Sequence, residues 1–577
     1  MQQEKRKSDE NGEKPTSSDE AKDASSSSTR WKNLIKSQIA RWREDYDSRL
    51  GVNITAFFAD RQPLIWVLAL FIAVFVAYAS IAFRFLIGVI QLPWLGTSSE
   101  FVATAAANQP FWQILLAPML GGILVGYLLD RYMPGRRAHG VADVIEARAI
   151  HNSHIDAKTG FFSAFLSAIS IGSGASVGRE GPIVHLGATI AAFLEDHFKL
   201  SPGARRTLLA CGVAAAVSAS FNAPIAGVLF AHEVILTHYA FRALVPTVIA
   251  SVTAAVIARI HLGEAPAFMI PEYSITSYWE FPAFALLGLT CALVAIIFEI
   301  ALMATDKFSW RFEMPLWFRT GLGGLMVGCI GVFLPQVLGV GYEATNEALQ
   351  RELPLTLLIM LIVAKTAATA ISLACRFAGG IFSPSLYLGA MTGSAFGLIA
   401  TSVFPEAGSS HGLYAILGMG AVAASVLGAP LSTTLIVFEL TGGYTMTIAL
   451  LLTVSISVGV SQAFLGHSLF YWQLGRRGLF LQDGPHKSIQ RRLRVDSFMT
   501  PKDPDAEPVH LTDPDAPWLM PTDTLERALR EFDRCGEARI AVVSPTDPTE
   551  IIGYADRLKA LNVFNKALID AAIEEHR

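Results

Sequence analysis

Charge and cysteine are both scarce in this 577-residue chain, and each scarcity excludes a class of protein. Only 16% of the residues are charged, whereas 52% are hydrophobic, and the mean hydropathy is +0.43. This balance excludes an ordinary soluble globular protein. The five cysteines show no metal-binding spacing and four of them lie in apolar segments, which excludes a zinc site or a disulfide framework.

Long apolar runs take the place of charge. Residues 63–90 contain a single charged side chain, that of Arg84, and four further runs cover residues 112–129, 281–302, 355–372 and 445–465. A run of about 20 apolar residues is long enough to cross a bilayer. Other apolar segments are shorter and are bounded by Gly, Pro or Ser, which is typical of broken helices around a transport path. The sequence therefore predicts an all-α, multi-span membrane protein.

Basic residues flank the apolar region at both ends: Arg30, Lys32, Lys36, Arg41 and Arg43 before it, and Arg476, Arg477, Lys487, Arg491, Arg492 and Arg494 after it. The positive-inside rule predicts that both termini are cytoplasmic and that the number of crossings is even. We expect an integral protein of the plasma (inner) membrane. Residues 1–29 are predicted to be a disordered tail without a cleavable signal peptide, because residues 2–29 lack large apolar side chains.

Two motifs recur at nearly the same spacing. GREGPIVHLGA (residues 178–188) and GIFSPSLYLGA (residues 380–390) both fit G-x-x-x-P-x-x-x-L-G-A, with an offset of 202 positions. FNAPIAGVLFAHE (residues 221–233) resembles LGAPLSTTLIVFE (residues 427–439), with an offset of 206. This recurrence predicts duplicated halves over about 110–240 and 320–470, a frequent transporter plan.

The first motif also indicates a chemistry. A Gly-x-x-x-Pro stretch turns the backbone sharply and begins a helix, whose first amides have no acceptor within the helix and carry the positive end of its dipole. Two such helix starts that converge from two halves predict an anion site built from backbone amides. Glu180 is a carboxylate in this apolar setting, which makes it a candidate functional residue.

Four groups of residues together resemble the CLC family of chloride channels and chloride/proton antiporters. They are Gly178-Arg179-Glu180-Gly181-Pro182, Phe221-Asn222-Ala223-Pro224 through Glu233, Gly379-Gly380-Ile381-Phe382-Ser383-Pro384, and Tyr444. The resemblance covers residues 60–475. It implies an inverted-repeat fold of broken, tilted helices and a homodimer with one pore in each subunit.

The resemblance also implies roles for particular residues. Glu180 resembles the gating glutamate, whose carboxylate occupies an anion site when the pore is shut and swings away or takes a proton when it opens. The anion ligands implied are the backbone amides around Gly178, Arg179 and Glu180, the amides of Ile381 and Phe382, and the hydroxyl of Tyr444 near the inner mouth.

His139 departs from the family pattern. It stands where the family's first motif has a serine that donates to the central anion. A neutral imidazole still donates one hydrogen bond, and a protonated one adds charge. Three readings stay open for His139: pH-dependent anion binding, altered selectivity, or a bond to a backbone carbonyl.

A second departure concerns protons. Exchangers of this family commonly carry an inner glutamate where this chain has Val234, and valine cannot relay a proton. His232 and Glu233 are candidate substitutes, together with Glu180, for a proton path. Glu233 is mirrored by Glu439 in the repeat, which favours a structural carboxylate over a relay.

Beyond Arg494 the composition becomes that of a soluble domain. Residues 495–499 resemble the start of a CBS motif, and helix, strand, strand and helix are predicted at 525–532, 539–544, 551–554 and from 557. We therefore divide the chain into a tail (1–29), a transmembrane domain (30–490) and a single or degenerate CBS-like α/β domain (491–577). One repeat lacks the paired cleft that binds adenine nucleotides, unless two subunits pair their tails.

Three functions remain open. Chloride transport by passive or weakly proton-coupled flow is favoured, and a chloride/proton antiporter with a non-standard proton path is the alternative. An intramembrane hydrolase is remote, since no zincin spacing and no Gly-x-Ser-x-Gly elbow occurs. We expect no enzyme activity, no metal, no cofactor and no nucleic acid. An adenine nucleotide on the CBS-like tail stays an open alternative, and a dimer-stabilising or degenerate module is favoured over it. The expected partners are a small anion (chloride, nitrate, fluoride or bicarbonate), protons, the lipid bilayer and a second subunit.

Overall fold

Helices of very different length form most of the chain in the computed structural model. The structure describes residues 61–576, apart from 199, 264–267, 269–274, 276, 310, 312, 351–352, 404–408, 442–443, 482–484, 503–509, 512–515 and 548, together with short pieces before residue 61. About three quarters of the described residues are helical, as the sequence predicted.

Nine α-helices are described between residues 61 and 263, and the short ones lie between long ones. They are α1 (Gln62–Leu95), α2 (Val102–Ala107), α3 (Phe111–Tyr132), α4 (Val141–Ala149), α5 (Ala157–Gly172), α6 (Glu180–Glu195), α7 (Pro202–Phe221), α8 (Pro224–Phe230) and α9 (Phe241–Leu262). A π-helical turn, Ala231–Leu236, continues α8. Broken helices of this kind match the prediction from the short apolar segments.

A second series follows after α9. It consists of α10 (Phe281–Ser309), α11 (Leu316–Phe333), α12 (Tyr342–Gln350), α13 (Leu355–Ala374), α14 (Phe382–Val403), α15 (His411–Leu427), α16 (Pro430–Thr441), α17 (Tyr444–Leu465) and α18 (Leu469–Gly475). Among the described residues, eight helical stretches are long and apolar enough to cross a membrane.

Glycine contacts repeat between the two halves. Helices α6 and α7 approach so closely that a Cβ on Gly187 would lie 2.4 Å from the carbonyl oxygen of Gly212. Helices α14 and α15 approach in the same way, and a Cβ on Gly389 would lie 2.3 Å from the carbonyl oxygen of Gly418. These four glycines occupy equivalent places in the repeat, so the duplication read from the sequence is also a duplication of packing.

Two carboxylates cap helices of the opposite half. Glu233 accepts hydrogen bonds from the amides of Leu431 (3.0 Å) and Ser432 (2.7 Å) at the start of α16. Glu439 accepts from the amides of Ile225 (2.9 Å) and Ala226 (2.7 Å) at the start of α8. Each carboxylate accepts hydrogen bonds from amides that have no acceptor within their own helix. The two halves are therefore joined by a reciprocal pair of helix caps.

The C-terminal region forms a small α/β unit. After α19 (Pro485–Arg492), the strands β1 (Thr500–Pro501), β2 (Trp518–Leu519), β3 (Arg539–Val543) and β4 (Ile551–Asp556) form a sheet in the order β1-β4-β3-β2. Helices α20 (Leu525–Cys535) and α21 (Arg557–His576) complete it. The observed order of helix, strand, strand and helix confirms the secondary structure predicted for this region and is consistent with a CBS-like tail.

Candidate anion pathway

The two copies of the Gly-x-x-x-Pro motif meet in the middle of the molecule. The amide of Gly178 donates to the carbonyl of Gly380 at 2.7 Å, and the amide of Gly380 donates back to Gly178 at 2.7 Å. Helices α6 and α14 therefore begin side by side. The amide of Gly178 is engaged in this bridge, so the unpaired donors at this point belong to the first turns of the two helices, which include Glu180 and Phe382.

The Glu180 carboxylate lies at this junction and is 2% exposed. One oxygen, Oε1, accepts a hydrogen bond of 2.5 Å from the phenol of Tyr342. The other, Oε2, accepts from the hydroxyl of Ser383. Each oxygen thus has its own hydroxyl donor, which holds the carboxylate in one place.

Arg179 connects the junction to a chain of charges. Its guanidinium pairs with Glu100, which also pairs with Arg84 at 3.0 Å, and it lies 4.7 Å from the centre of the Tyr342 ring. Burial by itself raises the pKa of Glu100, but the two arginines outweigh burial and hold that pKa below its ordinary value. Glu100 is therefore a carboxylate at neutral pH, and its charge fixes the Arg179 side chain beside the gate candidate.

Two wide cavities are lined by residues that come before and after α3 in the chain. The far-side vestibule, of about 410 Å³, is lined by residues of α1 and of the segment that joins α1 to α2, including Glu100, and by Arg179 and Tyr342. The tail-side vestibule, of about 450 Å³, is lined by residues just after α3, including His139, and by residues of α18 that precede the C-terminal unit.

A narrow chamber of about 60 Å³ lies between the vestibules. Glu180, Ile381 and Phe382 line it. The chamber shares four lining residues with the tail-side vestibule: Gly140, Leu373, Gly379 and Gln473. Since Glu180 lines the chamber and bonds to Tyr342 of the far-side vestibule, its carboxylate lies where the two cavities approach each other.

Arginine dominates the tail-side vestibule. Its charged lining residues are Arg137, Arg376, Arg476, Arg477, Asp143 and Asp306. Arg137 and Arg477 bond to Asp143 at 2.6 and 2.9 Å, and Arg476 pairs with Asp306. Four guanidinium groups against two carboxylates leave an excess of positive charge, which attracts anions to this mouth.

His139 lines the tail-side vestibule at the point where the family has serine. Its backbone amide donates to the Ser163 hydroxyl at 2.8 Å, and its ring lies edge-on to that of His185, with centroids 5.4 Å apart. Burial lowers the pKa of His139, and Asp143 opposes that effect only in part. The imidazole is thus neutral at pH 7 and offers one ring N–H donor.

The three proton-path candidates beside α8 are engaged or apolar. The ring nitrogens of His232 bond to the carbonyl of His238 (2.8 Å) and the hydroxyl of Thr247 (3.2 Å). Glu233 caps α16, as described above. Val234 is buried. In the described structure His232 and Glu233 are therefore held by hydrogen bonds, and Val234 carries no titratable group.

Tyr444 is the aromatic residue that the family resemblance places near the inner mouth. The Tyr444 side chain lies outside the described part of the structure, and only its backbone, at the start of α17, is described. Phe470 and Gln473 of α18 line the chamber instead. Phe470, Gln473 and Tyr342 were not predicted from the sequence as site residues. Ser383 could have been identified from the sequence, because it lies in the second copy of the Gly-x-x-x-Pro motif, at the position equivalent to Gly181.

Comparison with known proteins agrees with this geometry. The family model described as voltage gated chloride channel matches residues 121–462. A putative chloride channel protein ClcB-like from Ralstonia nicotianae is 33% identical over 381 residues, which are 65% of this chain and 88% of that protein. The H(+)/Cl(-) exchange transporter ClcA of Citrobacter koseri is 32% identical over 334 residues, 56% of this chain and 70% of that protein.

A solved structure shares the fold. The crystal structure of a slow cyanobacterial Cl-/H+ antiporter superposes with a TM-score of 0.64 at 22% identity and covers 73% of this chain and 99% of that chain. The repeated helix starts, the matched family model and the relatives together show that the chain belongs to the voltage-gated chloride channel (CLC) family.

Proposed function

We propose that this protein carries chloride across the membrane by passive or weakly proton-coupled flow, and that Glu180 is its gate. The observation that carries the proposal is the position of the Glu180 carboxylate. It lines the narrow chamber and accepts a hydrogen bond from Tyr342, which lines the far-side vestibule. A negative charge at that point repels an anion that enters from either side, and protonation removes the repulsion.

Electrostatics at the tail-side mouth support an anionic cargo. The excess of arginine there raises the local concentration of anions, and the first turns of α6 and α14 supply amides for a small anion in the chamber. Ile381, Phe382 and Arg179 are the proposed backbone donors in addition to Glu180. His139 adds a neutral N–H donor at the entrance to the chamber.

Weak or absent proton coupling follows from the surroundings of Val234. Valine holds no proton, and the neighbouring His232 and Glu233 are held by other partners. The competing proposal is a chloride/proton antiporter with a non-standard path. Its support is that relatives of 32% identity are named exchange transporters.

We further propose a homodimer in the plasma membrane with both termini in the cytoplasm. The basic residues before and after the apolar region support this orientation, which makes the tail-side vestibule the cytoplasmic mouth. The proposed dimer rests on family membership.

Flux through proteoliposomes tests the function. We expect a chloride gradient to drive chloride efflux, with little or no uphill proton movement. Glu180→Gln should leave an open path whose chloride flux no longer depends on pH. Absence of chloride efflux from the wild-type protein contradicts the proposed function, and an unchanged pH dependence in the variant contradicts the gate assignment. Repeating the assay with nitrate, fluoride and bicarbonate determines the anion preference.

A further inference from the structure

Glu299 is a buried carboxyl group that the pathway described above does not use. It lies in the second half of α10, its side chain is fully buried, and no described group donates a hydrogen bond to either of its oxygens. An ionised carboxylate without a partner is strongly disfavoured in apolar surroundings, so the group holds a proton there. Ionisable residues inside a membrane are rarely kept without a function.

The face of α10 that carries Glu299 leads to the tail-side vestibule. Leu302 and Asp306 follow on the same face, three and seven residues further on, and both line that vestibule. Glu299 therefore lies about 4.5 Å deeper along the helix axis than Leu302. Along α10, one helical turn separates the Glu299 position from Leu302, which lines the vestibule.

The vestibule continues toward the gate. Gly140, Leu373, Gly379 and Gln473 line both it and the chamber that contains Glu180. A proton released from Glu299 to water in the vestibule thus enters the same cavity system that the anion occupies. The exchange is a proton transfer between a carboxyl group and water, and it needs no other reactant.

None of the described titratable groups on the helices packed against α10 donates a hydrogen bond to Glu299. Helices α13, α14, α15 and α17 contact α10. On α13, Lys365 donates to two backbone carbonyls at 3.0 Å and lies 5.0 Å from the centre of the Tyr387 ring of α14. On α15, His411 and Tyr414 belong to the first turn, and Tyr414 bonds to Glu280 at 3.1 Å.

Other titratable groups on or near α10 also lie far from Glu299 or have another partner. Glu280 directly precedes α10, about 28 Å along the axis from Glu299. The described side chains of α17, residues 446–465, include no titratable group. At the mouth, Asp306 is paired with Arg476.

We propose that Glu299 is the proton-binding site on the tail side of the pathway and that it supplies the weak proton coupling of anion flow. The proposal rests on the proposed function and selects weakly coupled over passive flow. Glu299 takes the place of the inner acceptor that Val234 cannot provide, but it does so from a different helix.

Glu195 offers a matched control. It lies at the end of α6, is fully buried, and also has two oxygens without a described donor. It lines neither vestibule nor the chamber. The substitution Glu195→Gln therefore removes a comparable carboxyl group away from the pathway.

The experiment measures chloride efflux and proton movement in the same proteoliposomes. We expect the wild-type protein and Glu195→Gln to move protons slowly against their gradient, whereas Glu299→Gln moves at least ten-fold fewer protons and keeps more than half of the chloride flux. If Glu299→Gln does not fold, Glu299→Asp, which keeps the carboxyl group, should retain proton movement at a reduced rate and should lose it when Leu302 is changed to the bulkier Phe.

The other possible results contradict either this proposal or the proposed function. Proton movement that persists in Glu299→Gln overturns the proposal, and so does the absence of proton movement in the wild-type protein, although chloride transport then still stands. Equal loss in Glu195→Gln also overturns it, because the effect is then one of general destabilisation. Absence of chloride efflux from the wild-type protein contradicts the proposed function itself.

Discussion

The phenol of Tyr342 donates a 2.5 Å hydrogen bond to Oε1 of Glu180, although the two residues are 162 positions apart in the chain. The same tyrosine lies beneath the Arg179 guanidinium and lines the far-side vestibule. Tyr342 is thus in direct contact with the proposed gate on one side and with a wide cavity on the other. Its hydroxyl stabilises the position of the carboxylate that closes the path.

Removal of that hydroxyl should make the gate easier to open. A hydrogen bond to a charged acceptor contributes about 1.5–3 kcal/mol, so Tyr342→Phe should raise chloride flux at neutral pH roughly ten-fold. Proteoliposome efflux measures the change. Tyr387→Phe is the control, because Tyr387 is fully buried and its hydroxyl has no described partner. An unchanged flux in Tyr342→Phe contradicts the stabilising role.

Ser383 should act on the same carboxylate independently. Its hydroxyl donates to Oε2, whereas Tyr342 donates to Oε1. Ser383→Ala should raise chloride flux by a few-fold, and the double variant with Tyr342→Phe should approach the flux of Glu180→Gln. Chloride efflux of the two single variants, the double variant and Glu180→Gln, measured at one pH, tests this. A double variant no faster than either single one argues against two separate contacts.

Glu100 should give the fold a small, acid-sensitive contribution to stability. The pKa of Glu100 is held below its ordinary value near 4.5, so its contribution is complete above that value and is lost as the pH falls through the pKa of the folded state. Glu100→Gln should reduce stability at pH 7 by less than about 1 kcal/mol, since the ion pairs are partly exposed. Melting curves of the variant, recorded in detergent at several pH values, should converge with those of the wild type once the pH falls below the lowered pKa of Glu100.

Glu233 and Glu439 should behave alike. Each accepts two backbone amides at the start of a helix in the opposite half, so Glu233→Gln and Glu439→Gln should each lower stability by about 1–2 kcal/mol. Thermal unfolding in detergent measures both. Any proton movement should persist in the folded Glu233→Gln protein. Its selective loss there would identify Glu233 as a proton relay instead.

His139 should affect transport only at acid pH. Because burial lowers its pKa, the imidazole gains charge at a lower pH than an ordinary histidine does. His139→Ser should leave chloride flux at pH 7.5 within about two-fold, since serine also donates one hydrogen bond. It should remove any change in flux that appears when the tail side is acidified through the lowered pKa of His139. A change in the order of anion preference at pH 7.5 would favour the selectivity reading.

Much of the architecture could be predicted from the sequence because it depends on local composition. Hydrophobic runs indicated the spans, and glycine and proline spacing located the helix starts at Glu180 and Phe382. The repeat placed those starts together, and the Gly178–Gly380 bridge is the contact that joins them. The order of elements in the C-terminal unit was predicted for the same reason.

The partners of the site residues depended on tertiary structure. Nothing near Tyr342 in the sequence resembles a gate motif, and its contact with Glu180 exists only because α12 packs against α14, which begins beside α6. Phe470 and Gln473 reach the chamber from a short helix at the end of the apolar region.

Sequence alone thus determined that the chain crosses a membrane, that it is built of two related halves, and that a carboxylate lies at a converging pair of helix starts. These properties follow from hydrophobicity and backbone preferences over a few residues. Tertiary structure alone decided which hydroxyls hold Glu180, which helices Glu233 and Glu439 cap, and that Glu299 has no hydrogen-bond partner among the described residues. Those contacts join residues up to about two hundred positions apart, and only the packing of whole helices brings them within hydrogen-bonding distance or keeps them apart.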